Sequence, residues 1–243
     1  MLQRELTVLT HKILQRHPNL VRLLFYDLVR DGDDVVTPAL IMERARHGTL
    51  TSFLAQNHGS LTESEKVGLC WDAASGLCAL HRCGVVHGDV KTDNVLVFDY
   101  TNHSNGRRYK AKLTDFGSCI FTKTIETARY YGTRTTNAPE TVDQSGNQAI
   151  VASMLPRCDI YSLGLIFLQV VAESFEERWT TKDPTVLENA LKYVDASGLS
   201  ANVRQVFNHV LRLVLQWAPQ QRCGDLSIVL DILNPYQLNH EER

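Results

Sequence analysis

The stretch 87–115 constrains this chain more than any other. It contains His87-Gly88-Asp89-Val90-Lys91-Thr92-Asp93-Asn94, which sets a carboxylate, an ammonium and an amide at near-alternating positions just before an apolar run at 95–98. Asp115-Phe116-Gly117 follows a second run at 111–114 and puts a carboxylate at a strand end beside a glycine that permits a sharp turn. Two acids and an amide can then converge on a divalent cation, because hard Mg²⁺ is held by oxygen ligands and substrate phosphates. The spacing suits a loop that grips phosphate and metal.

The rest of the chain supplies a frame for such a loop. Residues 2–15 have a mixed helical spacing of Leu6, Val8, Leu9, Ile13 and Leu14 and predict one helix, ended by His17-Pro18-Asn19. Two β-rich runs at 20–29 and 35–42 flank Arg30-Asp31-Gly32-Asp33-Asp34, whose Asp-Gly pair predicts a hairpin turn. The polar stretch Glu43-Arg44-Ala45-Arg46-His47-Gly48 then separates this hairpin from a mainly helical remainder. A short helix is expected near 50–56. Thr62 with Glu65 three residues later forms a capping box that opens a long one. Val67, Cys70, Trp71, Ala74, Leu77 and Cys78 define its buried stripe. The polar insert 99–110 between the two short strands is expected to be a solvent-exposed, mobile loop. Further helices are expected near 157–172, 201–216 and 226–233, and no internal repeat is evident.

Composition narrows the function class. With 25 basic and 27 acidic residues the chain has no field to gather nucleic acid or an anionic membrane surface, so any phosphate site must be local. The apolar run 160–172 is shorter than the roughly 20 residues of a span and contains Ser162 and Gln169, which favours a buried helix. Six cysteines lie scattered without a CxxC pair, mostly inside apolar helical patterns. They suggest a reducing compartment, cytoplasmic or nuclear.

HGDVKTDNVL resembles the catalytic loop of eukaryotic-type protein kinases, in an HGD variant. DFG at 115–117 resembles their metal-binding motif, and Ala138-Pro139-Glu140 the end of their activation segment. Asp159-Ile160-Tyr161-Ser162-Leu163-Gly164 and Arg222 stand where the family has its central-helix aspartate and its late arginine, so the resemblance covers about residues 5–235. It implies a two-lobed α+β fold: a partial strand lobe over 1–44, a hinge ending at 45–48, a helical lobe over 49–236 and a tail over 237–243. It also implies ATP and Mg²⁺ as cofactors and a protein substrate bearing Ser/Thr hydroxyls, with neither nucleic acid nor membrane as partner. Asp89 would orient and deprotonate the substrate hydroxyl, Lys91 would neutralise the transferring γ-phosphoryl, and Asn94 and Asp115 would hold Mg²⁺. Met42 resembles the gatekeeper, the backbone of Glu43 and Ala45 would meet the adenine edge, and Leu96 would form the floor beneath the ring. Lys91 resembles the serine/threonine-specific branch. Thr133 resembles the threonine that bonds the catalytic aspartate and lysine.

The sequence also departs from the family. No GxGxxG occurs, and no strand lysine precedes the first helix, so Glu5, which resembles that lysine's ion-pair partner, has none to meet. The expectation is a kinase domain truncated at its N-terminus, with a pseudokinase-type binding module as the alternative. Gly88 replaces the arginine with which many kinases read a phosphorylated activation segment.

Overall fold

A computed structural model describes residues 2–30, 36–100, 107–141, 149–173 and 183–234. The arrangement is two-lobed and α+β, with a small N-terminal helix-and-hairpin layer over a larger helical body. The hairpin turn at 31–35 and the tail at 237–243 lie outside the described residues.

Helix α1 (Leu2–Leu9) buries Val8 and Leu9, then stops. The single helix expected over 2–15 is therefore broken. The Nδ1 of His11 accepts the N–H groups of Ile13 (3.4 Å) and Leu14 (3.5 Å), which a continuing helix would give to backbone carbonyls. A short 3₁₀ turn at Leu14–Arg16 then swings Leu14 into the core and leaves Ile13 outside. Strands β1 (Leu23–Arg30) and β2 (Val36–Met42) pair antiparallel from Leu23↔Met42 to Arg30↔Val36. This ribbon is thinly covered, with Phe25, Tyr26 and Leu28 exposed.

The larger body is built on α2 (Leu50–Gln56) and α3 (Glu63–Arg82). The expected capping box opens α3: the Thr62 hydroxyl accepts the Glu65 N–H, and the Glu65 carboxylate accepts the Thr62 N–H at 2.9 Å. After the short β3 (Val85–Val86), strands β4 (Val95–Asp99) and β5 (Tyr109–Leu113) pair in the register Val95↔Leu113 to Asp99↔Tyr109. Two further two-residue strands, β6 (Ile120–Phe121) and β7 (Thr127–Ala128), pair with β3 and with β8 (Ile150–Val151).

Helix α4 (Leu155–Ala172) is apolar and long enough to cross a membrane by composition, but its sides are buried among α3, α6 and β3 of the fold. Helix α6 (Ala201–Val214) packs on α4, α5 (Val186–Ala196) packs on α6, and α7 (Ser227–Ile232) packs on α3 and α6. No helix was expected at α5.

The insert 99–110 corrects a second expectation at its described ends, residues 101–106 lying outside the described set. Asp99 belongs to β4, Tyr109 opens β5, and Arg107 is buried with its guanidinium 2.5 Å from Asp72 of α3. The close approach needs a glycine, since a Cβ on Gly68 would come within 2.1 Å of the Arg107 Nε. Gly68→Ala should therefore displace the buried guanidinium and cost about 1–3 kcal/mol, as overpacked cores do. Urea unfolding checks this, and an unchanged midpoint would show that the loop end does not depend on the pair.

Candidate active site

The site grows from two backbone devices. The β4/β5 register places Asn94 opposite Thr114, whose N–H donates to the Asn94 carbonyl at 3.0 Å, so the end of the loop and the start of the Asp115 turn lie side by side. His87, fully buried, connects them a second time. Its Nε2 donates to the Thr114 carbonyl (3.0 Å) while its Nδ1 accepts the Asp89 N–H (3.3 Å), which fixes a neutral tautomer.

Asp89 is the best-partnered carboxylate of the loop. Its Oδ1 accepts the N–H and hydroxyl of Thr133, both at 2.8 Å. Its Oδ2 lies 2.8 Å from the Lys91 Nζ and accepts from the Asn94 Nδ2 at 3.1 Å. Lys91 also donates to the Thr133 hydroxyl at 2.7 Å. Burial alone would raise the Asp89 carboxyl, but the hydrogen bonds from Lys91 and Thr133 outweigh it and hold the group below its ordinary range. Asp89, Lys91, Asn94 and Thr133 thus form one cluster.

Asp115 follows β5 in a left-handed conformation (φ 61°, ψ 77°), uncommon for a residue with a side chain, and stays exposed. Its Oδ1 accepts the Gly117 N–H at 3.3 Å. Across from it stands Glu5 of α1, which packs on the 116–118 turn. Burial and then the charge of Asp115 raise the Glu5 carboxyl, and neither acid has a Lys or Arg in ion-pair contact among the described residues.

The candidate nucleotide wall lies at the junction of hairpin and body. Met42 and Leu96 are half-buried and pack on the core from β2 and β4. The Glu43 side chain is committed to the frame, since its Oε1 accepts the Arg22 N–H (2.8 Å) and lies 2.6 Å from the Lys112 Nζ. The Glu43 N–H donates to the Arg22 carbonyl at 3.0 Å. Among the described residues, the Glu43 carbonyl and Ala45 N–H appear in no backbone bond of the connection. Two open cavities, about 360 Å³ beside Arg4 and Tyr131 and about 530 Å³ beside Leu9 and Phe25, lie outside this cluster.

Beneath the loop, Asp159 of α4 is completely buried and accepts the N–H groups of His87 (2.7 Å) and Gly88 (3.0 Å) together with His81 Nε2 (2.8 Å) and the Tyr130 hydroxyl (2.7 Å). Burial would raise its carboxyl, yet the hydrogen bond and charge of His81 and the hydrogen bond of Tyr130 hold it below its ordinary range. In the unfolded chain this carboxyl titrates near ~3.9. Its contribution to stability is complete above that value and is lost as pH falls through the lower native one. The melting temperature should drop on acidification below about pH 4, and Asp159→Asn, less stable at neutral pH, should flatten that limb. Identical acid limbs in the two proteins would contradict the coupling.

With this geometry in view, the comparisons with known proteins are direct. The protein kinase domain family matches residues 1–233. The chain belongs to this family. It is 31% identical over 158 residues to the serine/threonine-protein kinase CLA4 of Candida albicans, covering 64% of this chain and 14% of that protein. To the probable serine/threonine-protein kinase iksA of Dictyostelium discoideum it is 25% identical over 242 aligned residues, covering 90% of this chain and 24% of that protein. To PkaB of Streptomyces coelicolor it is 37% identical over 158 residues, 64% of this chain and 35% of that kinase. The chain thus spans between about a seventh and about a third of these relatives.

The family implies ATP and Mg²⁺, and the donor set fits both. The Asn94 amide nitrogen is spent on the Asp89 carbonyl (2.8 Å) and Oδ2, so its oxygen is the end left to accept. Asp115 has its Oδ2 in no hydrogen bond among the described residues. An amide oxygen and a carboxylate are ligands suited to a hard cation that keeps phosphates and waters as the rest of its shell. A carbonyl and an N–H two residues apart at Glu43 and Ala45 match the donor and acceptor edge of adenine.

The sequence did not single out His81 or Tyr130 as anchors of the loop. For His81 the available signal was a titratable side chain at the end of an apolar helical run, which does not reveal the partner, and the polar surroundings of Tyr130 gave none.

Proposed function

We propose that this chain transfers the γ-phosphoryl group of ATP to Ser/Thr hydroxyls of protein substrates. The cluster of Asp89, Lys91, Asn94 and Thr133 beside the Asp115 turn carries the reading. Asp89, held ionised, accepts the proton of the attacking hydroxyl as the new oxygen–phosphorus bond forms and the bond to the ADP oxygen breaks. Lys91 offers positive charge where the transferring group gains negative charge. Asn94 and Asp115 would hold Mg²⁺, which supplies charge neutralisation for the phosphates when bound. Met42, Glu43, Ala45 and Leu96 would receive the adenine. Six free thiols support placing the chain in a reducing compartment, cytoplasmic or nuclear.

A second reading has its own observation. Glu5 and Asp115 confront one another without a pairing cation among the described residues, an arrangement that disfavours triphosphate binding and favours a non-catalytic interaction module. Thermal melting with and without Mg²⁺-ATP separates the two. On the catalytic reading, nucleotide at a hundred times its Kd stabilises by about 2.7 kcal/mol, a shift of roughly 5–10 °C. Asp115→Ala should abolish the shift. A cooperative melt indifferent to nucleotide in the parent would establish the second reading.

A further inference from the structure

Three of the four donors to Asp159 come from α3 and from the loop that carries Asp89. The fourth, the Tyr130 hydroxyl, comes from the segment running from Asp115 to Glu140. It shares the Asp159 Oδ1 with the Gly88 N–H, so the phenol lies beside the residue that precedes Asp89. Gly88 can contribute no side chain there. Its φ is 81°, and a Cβ would meet the Ser118 carbonyl oxygen at 2.4 Å. Tyr130 is 6% exposed, whereas its neighbour Tyr131 is 74% exposed, so one of two adjacent tyrosines is built in and the other faces solvent. Three residues on, Thr133 gives its N–H and hydroxyl to Asp89. The segment is therefore fastened at two points, one on the buried carboxylate beneath the loop and one on the carboxylate within it. Burial and the charge of Asp159 push the phenol well above its ordinary value, which keeps it a donor.

We propose that Tyr130 is a positioning residue whose hydroxyl, acting through Asp159, holds the segment around Thr133 against the Asp89 loop without any added charge on the segment. Its consequence for turnover rests on the phosphoryl-transfer reading, whereas the tie itself does not. The same carboxylate orients both the backbone before Asp89 and the segment that partners Asp89, so losing the hydroxyl frees one relative to the other while leaving the helical body intact.

Hydrogen exchange on the full, phosphatase-treated chain tests this. Tyr130→Phe keeps the ring and removes one hydrogen bond to a charged group. It should speed exchange in peptides covering 127–136 about tenfold to a hundredfold, with peptides of α6 and of 160–171 unchanged. Tyr131→Phe should behave as the parent. In turnover, Tyr130→Phe should raise KM for a Ser/Thr peptide and lower kcat while the Kd for nucleotide stays the same. Unchanged exchange in 127–136, or acceleration spread equally over α4 and α6, overturns the proposal. So does a parent whose segment is protected only before phosphatase treatment. A parent with the expected exchange pattern and no phosphotransfer would sink the phosphoryl-transfer reading and leave the tie standing.

Discussion

Asp89→Asn is expected to lower kcat for peptide phosphorylation by about 10²–10⁴-fold, the range a positioned proton acceptor supplies, while nucleotide affinity stays near that of the parent. The geometry explains why so small a change is costly. Both oxygens of Asp89 face donors: Thr133 N–H and hydroxyl on one side, Lys91 and the Asn94 amide on the other. An asparagine has one acceptor oxygen and one NH₂ group, so either orientation of its amide turns a donor towards a donor. The substitution removes the charge that pairs with Lys91, the proton acceptor and half of the hydrogen-bond match together. Asp89 is absent from the donor set assigned to the cation, so nucleotide-induced stabilisation should persist. Loss of that stabilisation in Asp89→Asn would show that the residue belongs to the binding of the nucleotide and not to the transfer step.

What could be read from the sequence was what is local. The Asp89–Asn94 loop and the Asp115 turn are contiguous strings, and the short strands that bracket them carry their own apolar signature. The Thr62 and Glu65 pair announced the start of α3 because capping spans only three residues. The expected helix near 50–56 coincides with α2, where Thr49 accepts the Ser52 N–H at its start. The failures are of two kinds. The break after Leu9 depends on one ring nitrogen of His11 competing for backbone donors, which periodicity does not register. Helix α5 was overlooked although Val186, Ala190, Leu191 and Val194 repeat at helical spacing. The second kind is long-range. Arg107 reaches Asp72 across 35 positions, and His81 and Tyr130 converge on Asp159 from 78 and 29 positions away. Such contacts are made by the packing of the helical body, and the polar appearance of the 99–110 insert gave no hint that one of its arginines is buried.

Arg222→Lys should be the most destabilising charge-conserving change in the helical body. The guanidinium is fully buried and uses its donors on five acceptors: both oxygens of Glu140 at 2.5 and 2.8 Å, and the carbonyls of Gln216, Arg157 and Trp217 at 2.7–2.9 Å. It also lies 4.7 Å from the centre of the Tyr161 ring. Lysine keeps the charge but has three donors on a point-like head, so buried acceptors are left without partners. Each buried acceptor left without a partner costs about 1–3 kcal/mol, so losing two costs about 2–6 kcal/mol, which for a chain of this length corresponds to a fall in melting temperature of roughly 10 °C. Because Arg222 touches none of Asp89, Lys91, Asn94 or Asp115, turnover per folded molecule, measured well below both melting points, should stay at the parent level. The double substitution Glu140→Leu with Arg222→Met supplies the discriminating comparison. It removes both charges at once, so it should be less destabilised than the sum of the two single changes. Additive losses would mean that the carbonyl contacts of Arg222, and not its pairing with Glu140, hold this end of the activation segment to the body.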